Sequence, residues 1–296
     1  MAAFAANSLF CRLALAGEHI DAASFTAIRL LSGTVMLWGI LQYRAIIDCL
    51  LRRNKDLTLS LKSKSDSHNK PQFNHTRWLS AFALFTYAAA FSFAYIELPT
   101  AIGALILFGV VQVVMVTHGI MQGELLGLKQ KVGFFTAIIG LVMLFLPQLL
   151  TTDINDIDTL SALLMLIAGI AWALYSIQAK GVTEPIRVSA NNFLYALPFT
   201  LVLSILLYSQ MKFNQVGLVY AILSGALASG AGYALWYAVV PHLKSTYAAS
   251  VQLTVPVLAA IAAIIWLDED LTWLISLSSF LLLSGVALVI HSRPPS

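Results

Sequence analysis

Tyr233, Trp236 and Tyr237 are spaced i, i+3 and i+4, which puts three rings on one face of a helix. Trp172 and Tyr175 repeat the arrangement, and Tyr87, Phe91 and Tyr95 step along one face in fours. Rings of this kind bind rather than react. Each offers a flat apolar wall, and Tyr and Trp add a polar tip. A cavity lined by them suits amphipathic or aromatic solutes. The competing reading is helix packing, with Tyr95, near a helix end, in an interfacial belt.

Polar residues inside apolar stretches are few: Asn7, Arg29, Gln112, His118, Asn192 and Gln252. Such groups are costly in lipid and usually face a bundle's interior. Gln112 and Gln252 could bond a solute's carboxylate, amine or amide, or equally join helix to helix. Arg29 reads as one half of an ion pair with Glu97, or as a point of solute attraction or gating. His118, whose ring titrates near neutrality, is the candidate for coupling to protons. Pro198 and Pro256 each remove a helix hydrogen bond, giving a static kink or a point of rocking. Glu124 and Glu269 lie next to helix ends and read as caps, because acids favour helix N-termini. No G-x-x-x-x-G-K-[ST] loop, H-E-x-x-H or G-x-S-x-G occurs. Cys11 and Cys49 form neither a disulfide framework nor a zinc spacing. The expectation is binding without covalent chemistry: no enzyme, no cofactor, no metal.

The elements that must hold these residues are membrane spans. The 296-residue chain is 59% hydrophobic and 10% charged, against about 25% charged in a soluble domain. Lipid must be the solvent for much of it. Apolar stretches run over 2–17, 22–43, 78–97, 100–121, 131–150, 159–180, 190–209, 215–239, 245–266 and 271–291. Their lengths suit helices of about 20 residues, and they lack the alternation of barrel strands. The expected class is all-α, polytopic, with about ten spans. The stretch 44–77 is polar and basic, with Arg44, Arg52, Arg53, Lys55, Lys62, Lys64, Lys70 and Arg77 against Asp48, Asp56 and Asp66. It reads as a loop. With the N-terminus in the cytoplasm, all of the 17 basic residues except Arg12, Arg29 and Lys212 fall on the cytoplasmic side. That is the favoured orientation, and both termini are then cytoplasmic. The net charge of +3 gives no case for nucleic acid.

An internal repeat runs through the chain. Leu98 aligns with Leu243, Ala104 with Ala249, Val110 with Val255 and Ile120 with Ile265. In the same register Glu124 meets Glu269, Phe135 meets Phe280 and Gly140 meets Gly285. The offset covers five spans, an odd number, so the second copy enters the membrane upside down. Inverted repeats of this sort typify secondary transporters, where two similar halves give two nearly equivalent states.

Several short motifs keep this order along nearly the whole chain. They are Ala27-Ile28-Arg29-Leu30, Gly123-Glu124-Leu125-Leu126 and Ala168-Gly169-Ile170-Ala171-Trp172-Ala173-Leu174-Tyr175. Val255-Pro256-Val257, Leu267-Asp268-Glu269-Asp270-Leu271-Thr272 and Gly285-Val286-Ala287-Leu288 follow. In these the chain resembles the EamA-type transporters of the drug/metabolite transporter superfamily. It departs in a short first span and in the length of 44–77. The resemblance implies ten helices in two inverted five-helix repeats, 1–150 and 151–296, around a central cavity, with spans five and ten peripheral. It implies export of small metabolites such as amino acids, or of hydrophobic, amphipathic drug-like cations, across a bacterial inner membrane; the expected assembly is a monomer or homodimer. The alternatives are a membrane enzyme on lipid-linked substrates and a non-transporting scaffold or sensor.

Overall fold

The computed structural model describes residues 1–15, 17–55, 75–98, 100–151, 158–179, 182, 184–258, 261 and 273–291. The apolar stretches form helices because a segment in lipid must satisfy its own backbone groups. In order these are α1 (Ala2–Leu15), α2 (Ala22–Lys55), α3 (His75–Glu97), α4 (Thr100–Met121), α5 (Leu128–Thr151), α6 (Thr159–Gln178) and α7 (Pro185–Leu206). Then come α8 (Gln215–Leu223), a π-helical stretch (Ser224–Ala231), α9 (Gly232–Val239), α10 (Ser245–Gln252) and α11 (Trp273–His291). α10 breaks at Leu253, and the chain then turns helical again over 254–258. Pro256, three residues on, has no N–H to offer the Gln252 carbonyl, which loosens the chain there.

Burial is inverted relative to a soluble protein. Leu31, Val35, Leu201, Ile205 and Leu235 are exposed, whereas Arg29, Gln112, Asn192 and Gln252 are buried. Hydrocarbon outside and polar groups inside is the arrangement of a multi-pass membrane bundle. Five helices among the described residues are long and apolar enough to cross: Ala22–Ile47, Trp78–Glu97, Thr159–Gln178, Pro185–Leu206 and Gln215–His242. Ala2–Leu15, Ile106–Met121 and Ser276–His291 are shorter apolar helices. Of the ten expected spans, five meet that length and composition among the described residues. The 14 residues of α1 rise only about 21 Å. Of the stretch 44–77 read as a loop, 44–55 continues α2 and 75–77 opens α3, because an apolar span's helix runs on past the lipid; 56–74, and the acids Asp268, Glu269 and Asp270, lie outside the described residues.

Helix starts are fixed by side-chain caps. Asn214 accepts from Gly217 N at 2.9 Å at the head of α8. Asp158 accepts from Ser161 N at 2.7 Å at the head of α6. Hydrogen bonds from Ser161, side chain and backbone, hold the exposed Asp158 carboxyl below its usual range. A depressed folded pKa means the contribution is present above the unfolded value and lost as pH falls through the folded one. The first turn of α6 should therefore fray in acid, seen as reduced protection of the Ser161 amide against its intrinsic exchange rate. Asp158→Asn should remove that pH dependence.

Helix neighbours follow a pattern. α2 packs on α7, α4 on α10 and α5 on α11; the repeat register relates the last two pairs to themselves, and helix order alone relates the first. α3 packs on α6 while α1 packs on α8 and the π-helical stretch; α3 packs on α7 while α2 packs on α8 and the π-helical stretch. Exchanging front and back helices therefore returns most of the same pairs. The α4–α6 contact has its counterpart where Ala5 of α1 shares a buried cluster with Leu253, Val255 and Val257 just past α10.

The α5–α11 seam shows the same reciprocity residue by residue. A Cβ on Gly140 would meet Ser278 and Leu282, and one on Gly285 would meet Gly133 and Ala137. In the register that aligns Gly140 with Gly285, Gly133 aligns with Ser278 and Ala137 with Leu282. The small residues let the two backbones touch. One buried cluster holds Phe108 and Leu253, Ala137 and Leu282, and Leu141 and Val286, three pairs matched by the same register. The matched Phe135 and Phe280 both face outward.

The two halves also join at the loops. Ile20 and Phe213 form an antiparallel bridge, with Asp21 N donating to Lys212 O at 2.8 Å and Asn214 N to His19 O at 2.9 Å. Lys212 Nζ reaches Glu18 Oε2 at 3.2 Å. In the other pair of loops Glu124 accepts from Ser245 N at 2.7 Å, Thr246 N at 3.1 Å and Thr246 Oγ1 at 3.0 Å. A front-half carboxylate thus caps α10 of the back half, with the chain turned toward it by Gly123 at φ +81. Glu124→Ala should leave two amides and a hydroxyl short of an acceptor. The expected loss is about 1–3 kcal/mol, read as a lower melting temperature in detergent, with Glu124→Gln keeping part of it.

Candidate solute site

α3, α6 and α9 carry the ring faces anticipated above to one place. Trp172 lies 4.9 Å from Tyr87 and 4.9 Å from Tyr233, ring centre to ring centre. Tyr175 lies 4.6 Å from Tyr237 and 6.1 Å from Tyr233. Phe91 links Tyr87 at 5.5 Å to Tyr95 at 4.7 Å. All are buried, Trp172 at 5% and Trp236 at 4% exposure. Two further rings complete the cluster: Phe4 of α1, 5.2 Å from Trp172 and 5.6 Å from Tyr233, and Phe193 of α7, 5.7 Å from Tyr233.

The polar tips are tied across helices. Trp172 Nε1 donates to Gln252 Oε1 at 2.5 Å, and Trp236 Nε1 donates to Ser176 Oγ at 3.0 Å. Tyr237 Oη donates to the Tyr175 carbonyl at 3.0 Å and accepts from Asn192 Nδ2 at 3.3 Å. Gln252 also donates to the Ala248 carbonyl at 3.3 Å and to Met115 Sδ at 3.1 Å. Buried in low dielectric, such bonds are strong while made and costly when broken. Front-half and back-half helices therefore meet at rings that also share a polar network.

Arg29 borders the rings, at 1% exposure. Its Nε donates to Ser229 Oγ at 2.9 Å and its Nη2 to Tyr233 Oη at 2.7 Å. Its Cζ lies 5.4 Å from the centre of the Tyr87 ring and 5.7 Å from that of Phe91, within cation–π range. Ser229 belongs to the π-helical stretch, whose Gly225 packs against the Arg29 carbonyl. π-helical turns often occur at functional sites.

Other anticipated residues lie elsewhere. Glu97, at the end of α3, is exposed, and among the described residues Arg29 binds Ser229 and Tyr233 instead of it. Two turns of helix separate a residue at a span's end from one buried inside. Gln112 turns toward α10, donating to the Ala249 carbonyl at 2.7 Å. His118 sits half-buried near the end of α4, and Pro256 is buried beyond the break in α10. Sequence reasoning passed over Phe4, Phe193, Ser176 and the bond from Arg29 to Ser229. The i, i+3 step from Trp172 to Tyr175 continues at Ser176 on the same face, which was the one available signal. Among the described residues no group of three or more His, Cys, Asp or Glu side chains gathers as a metal site would.

A profile of the EamA-like transporter family matches residues 159–291. A Pseudomonas aeruginosa protein, named Uncharacterized protein PA1977, is 42% identical over 293 residues, covering 99% of this chain and 92% of its own length. A solved crystal structure superposes with a TM-score of 0.74 over 97% of this chain and 95% of the other, at 15% identity. That last likeness is one of fold alone.

Proposed function

We propose, from the premise that the chain belongs to one family with the Pseudomonas aeruginosa protein and, at superfamily level, to the EamA-like drug/metabolite transporters, that it is a secondary transporter exporting small amphipathic metabolites. Its halves, 1–150 and 151–296, are read as inverted five-helix repeats that rock about a shared axis. The observation carrying this is the reciprocal seam: Gly140 meets 278 and 282 while Gly285 meets 133 and 137. Self-complementary contact of this kind is the mark of a two-fold operator. The α1–α2 and α7–α8 loops meet at one face and the Glu124 loop meets the start of α10, as two-sided gates would.

In this reading Trp172, Tyr175, Tyr233, Trp236 and Tyr237 wall the solute, with Gln252, Gln112 and Tyr95 at its margins. Arg29, Glu97, His118 and Pro256 are its gating or coupling positions. The solute classes are amino-acid-like and amphipathic drug-like molecules. Purified protein in liposomes is the test. Saturable solute flux is expected, and Trp236→Ala should lower it without lowering expression. Turnover without flux would favour an enzyme on lipid-linked substrates, and neither would favour a scaffold.

A further inference from the structure

A guanidinium at 1% exposure inside a lipid-embedded bundle needs a counter-charge. Arg29 has none from a side chain: among the described residues no Asp or Glu pairs with it. Its bonding partners are the hydroxyls of Ser229 and Tyr233. The Tyr87 hydroxyl lies within hydrogen-bonding reach of it, and the Cys11 thiol is its other polar neighbour. All four are neutral near pH 7. Ring faces of Tyr87 and Phe91 add only partial negative charge. Nη1 has no hydrogen-bond partner among the described residues. Among the described residues the centre therefore holds one uncompensated positive charge and an Nη1 amino group without an acceptor, walled by aromatic rings.

We infer that the solute carries a carboxylate, or an equivalent anionic oxygen pair, which seats on Arg29 against those rings. The inference rests on the transport reading and narrows it. A guanidinium fork fits a carboxylate in two parallel bonds, and the same charge repels organic cations. Of the solute classes considered, acids and zwitterions with an apolar or aromatic body are favoured, and cationic drugs are disfavoured. With the anion bound the buried charge is balanced; without it the cost remains, so solute binding itself would stabilise the closed bundle.

The test uses the full chain in detergent with three probes of one shape: 3-phenylpropionate, 3-phenylpropionamide and 3-phenylpropylamine. Melting temperature and tryptophan fluorescence report binding. The acid should bind roughly tenfold or more tightly than the amide, as a charge-assisted bond would give, and the amine should be weakest. Arg29→Gln should erase the acid's advantage while Arg29→Lys keeps part of it, a pattern that a purely structural arginine would not produce. If Arg29→Gln does not fold, the wild-type ranking and Arg29→Lys carry the test. No binding of the acid, the amine bound as tightly as the acid, or an acid affinity unchanged in Arg29→Gln would each overturn the inference. Saturable liposome flux of the amine would do so while leaving the carrier itself standing.

Discussion

Trp172→Ala is expected to remove about 3–5 kcal/mol from the folded state and to abolish solute flux. The ring contacts Phe4, Tyr87, Tyr175 and Tyr233 at once, so its loss opens a cavity where four helices meet. It also leaves Gln252 Oε1 without the indole N–H it accepts, a further cost of about 1–3 kcal/mol. Trp172→Phe separates the terms by keeping most of the packing and losing only the donor. Thermal unfolding in detergent measures the stability and liposome uptake the flux. Wild-type flux in a folded Trp172→Ala protein would take this ring out of the solute's path.

Leucine at either glycine of the α5–α11 seam should be as damaging, and equally so at both. A Cβ on Gly140 or on Gly285 already meets backbone of the facing helix. Overpacking of even modest size costs about 1–3 kcal/mol, and a leucine, which must push two backbones apart, should cost more. Because each glycine meets the matched residues of the other helix, Gly140→Leu and Gly285→Leu should lower the melting temperature by similar amounts. A large drop for one and none for the other would mean that the seam is not symmetric.

The rings were legible before any coordinates because helical spacing is a local property. Tyr233, Trp236 and Tyr237 announce one face whatever that face meets. The register of the α5–α11 seam was legible for a similar reason: it survives in sparse identities such as Gly140 and Gly285. What was not legible depends on packing between distant segments. Phe4 and Phe193 carry no mark that separates them from lipid-facing phenylalanines such as Phe135. Glu124 could be read as a cap, but nothing local says that it caps α10. Arg29 seemed to want an acid, and Glu97 was the nearest by depth. The stretch of small residues around Ser229 supplies one of its hydroxyl partners instead. The π-helical turn itself has no composition that distinguishes it from close helix contact.

Locking one gate tests the carrier most directly. Ile20 and Phe213 are bridged across the halves in a narrow, non-hydrogen-bonded pair, whose Cα separation of about 4.5 Å suits a disulfide. Ile20→Cys with Phe213→Cys, in a background lacking Cys11 and Cys49, would then be reconstituted and oxidised. Two halves that must part at this face to pass solute predict that flux stops on oxidation and returns on reduction. Undiminished flux through fully cross-linked protein would contradict the account.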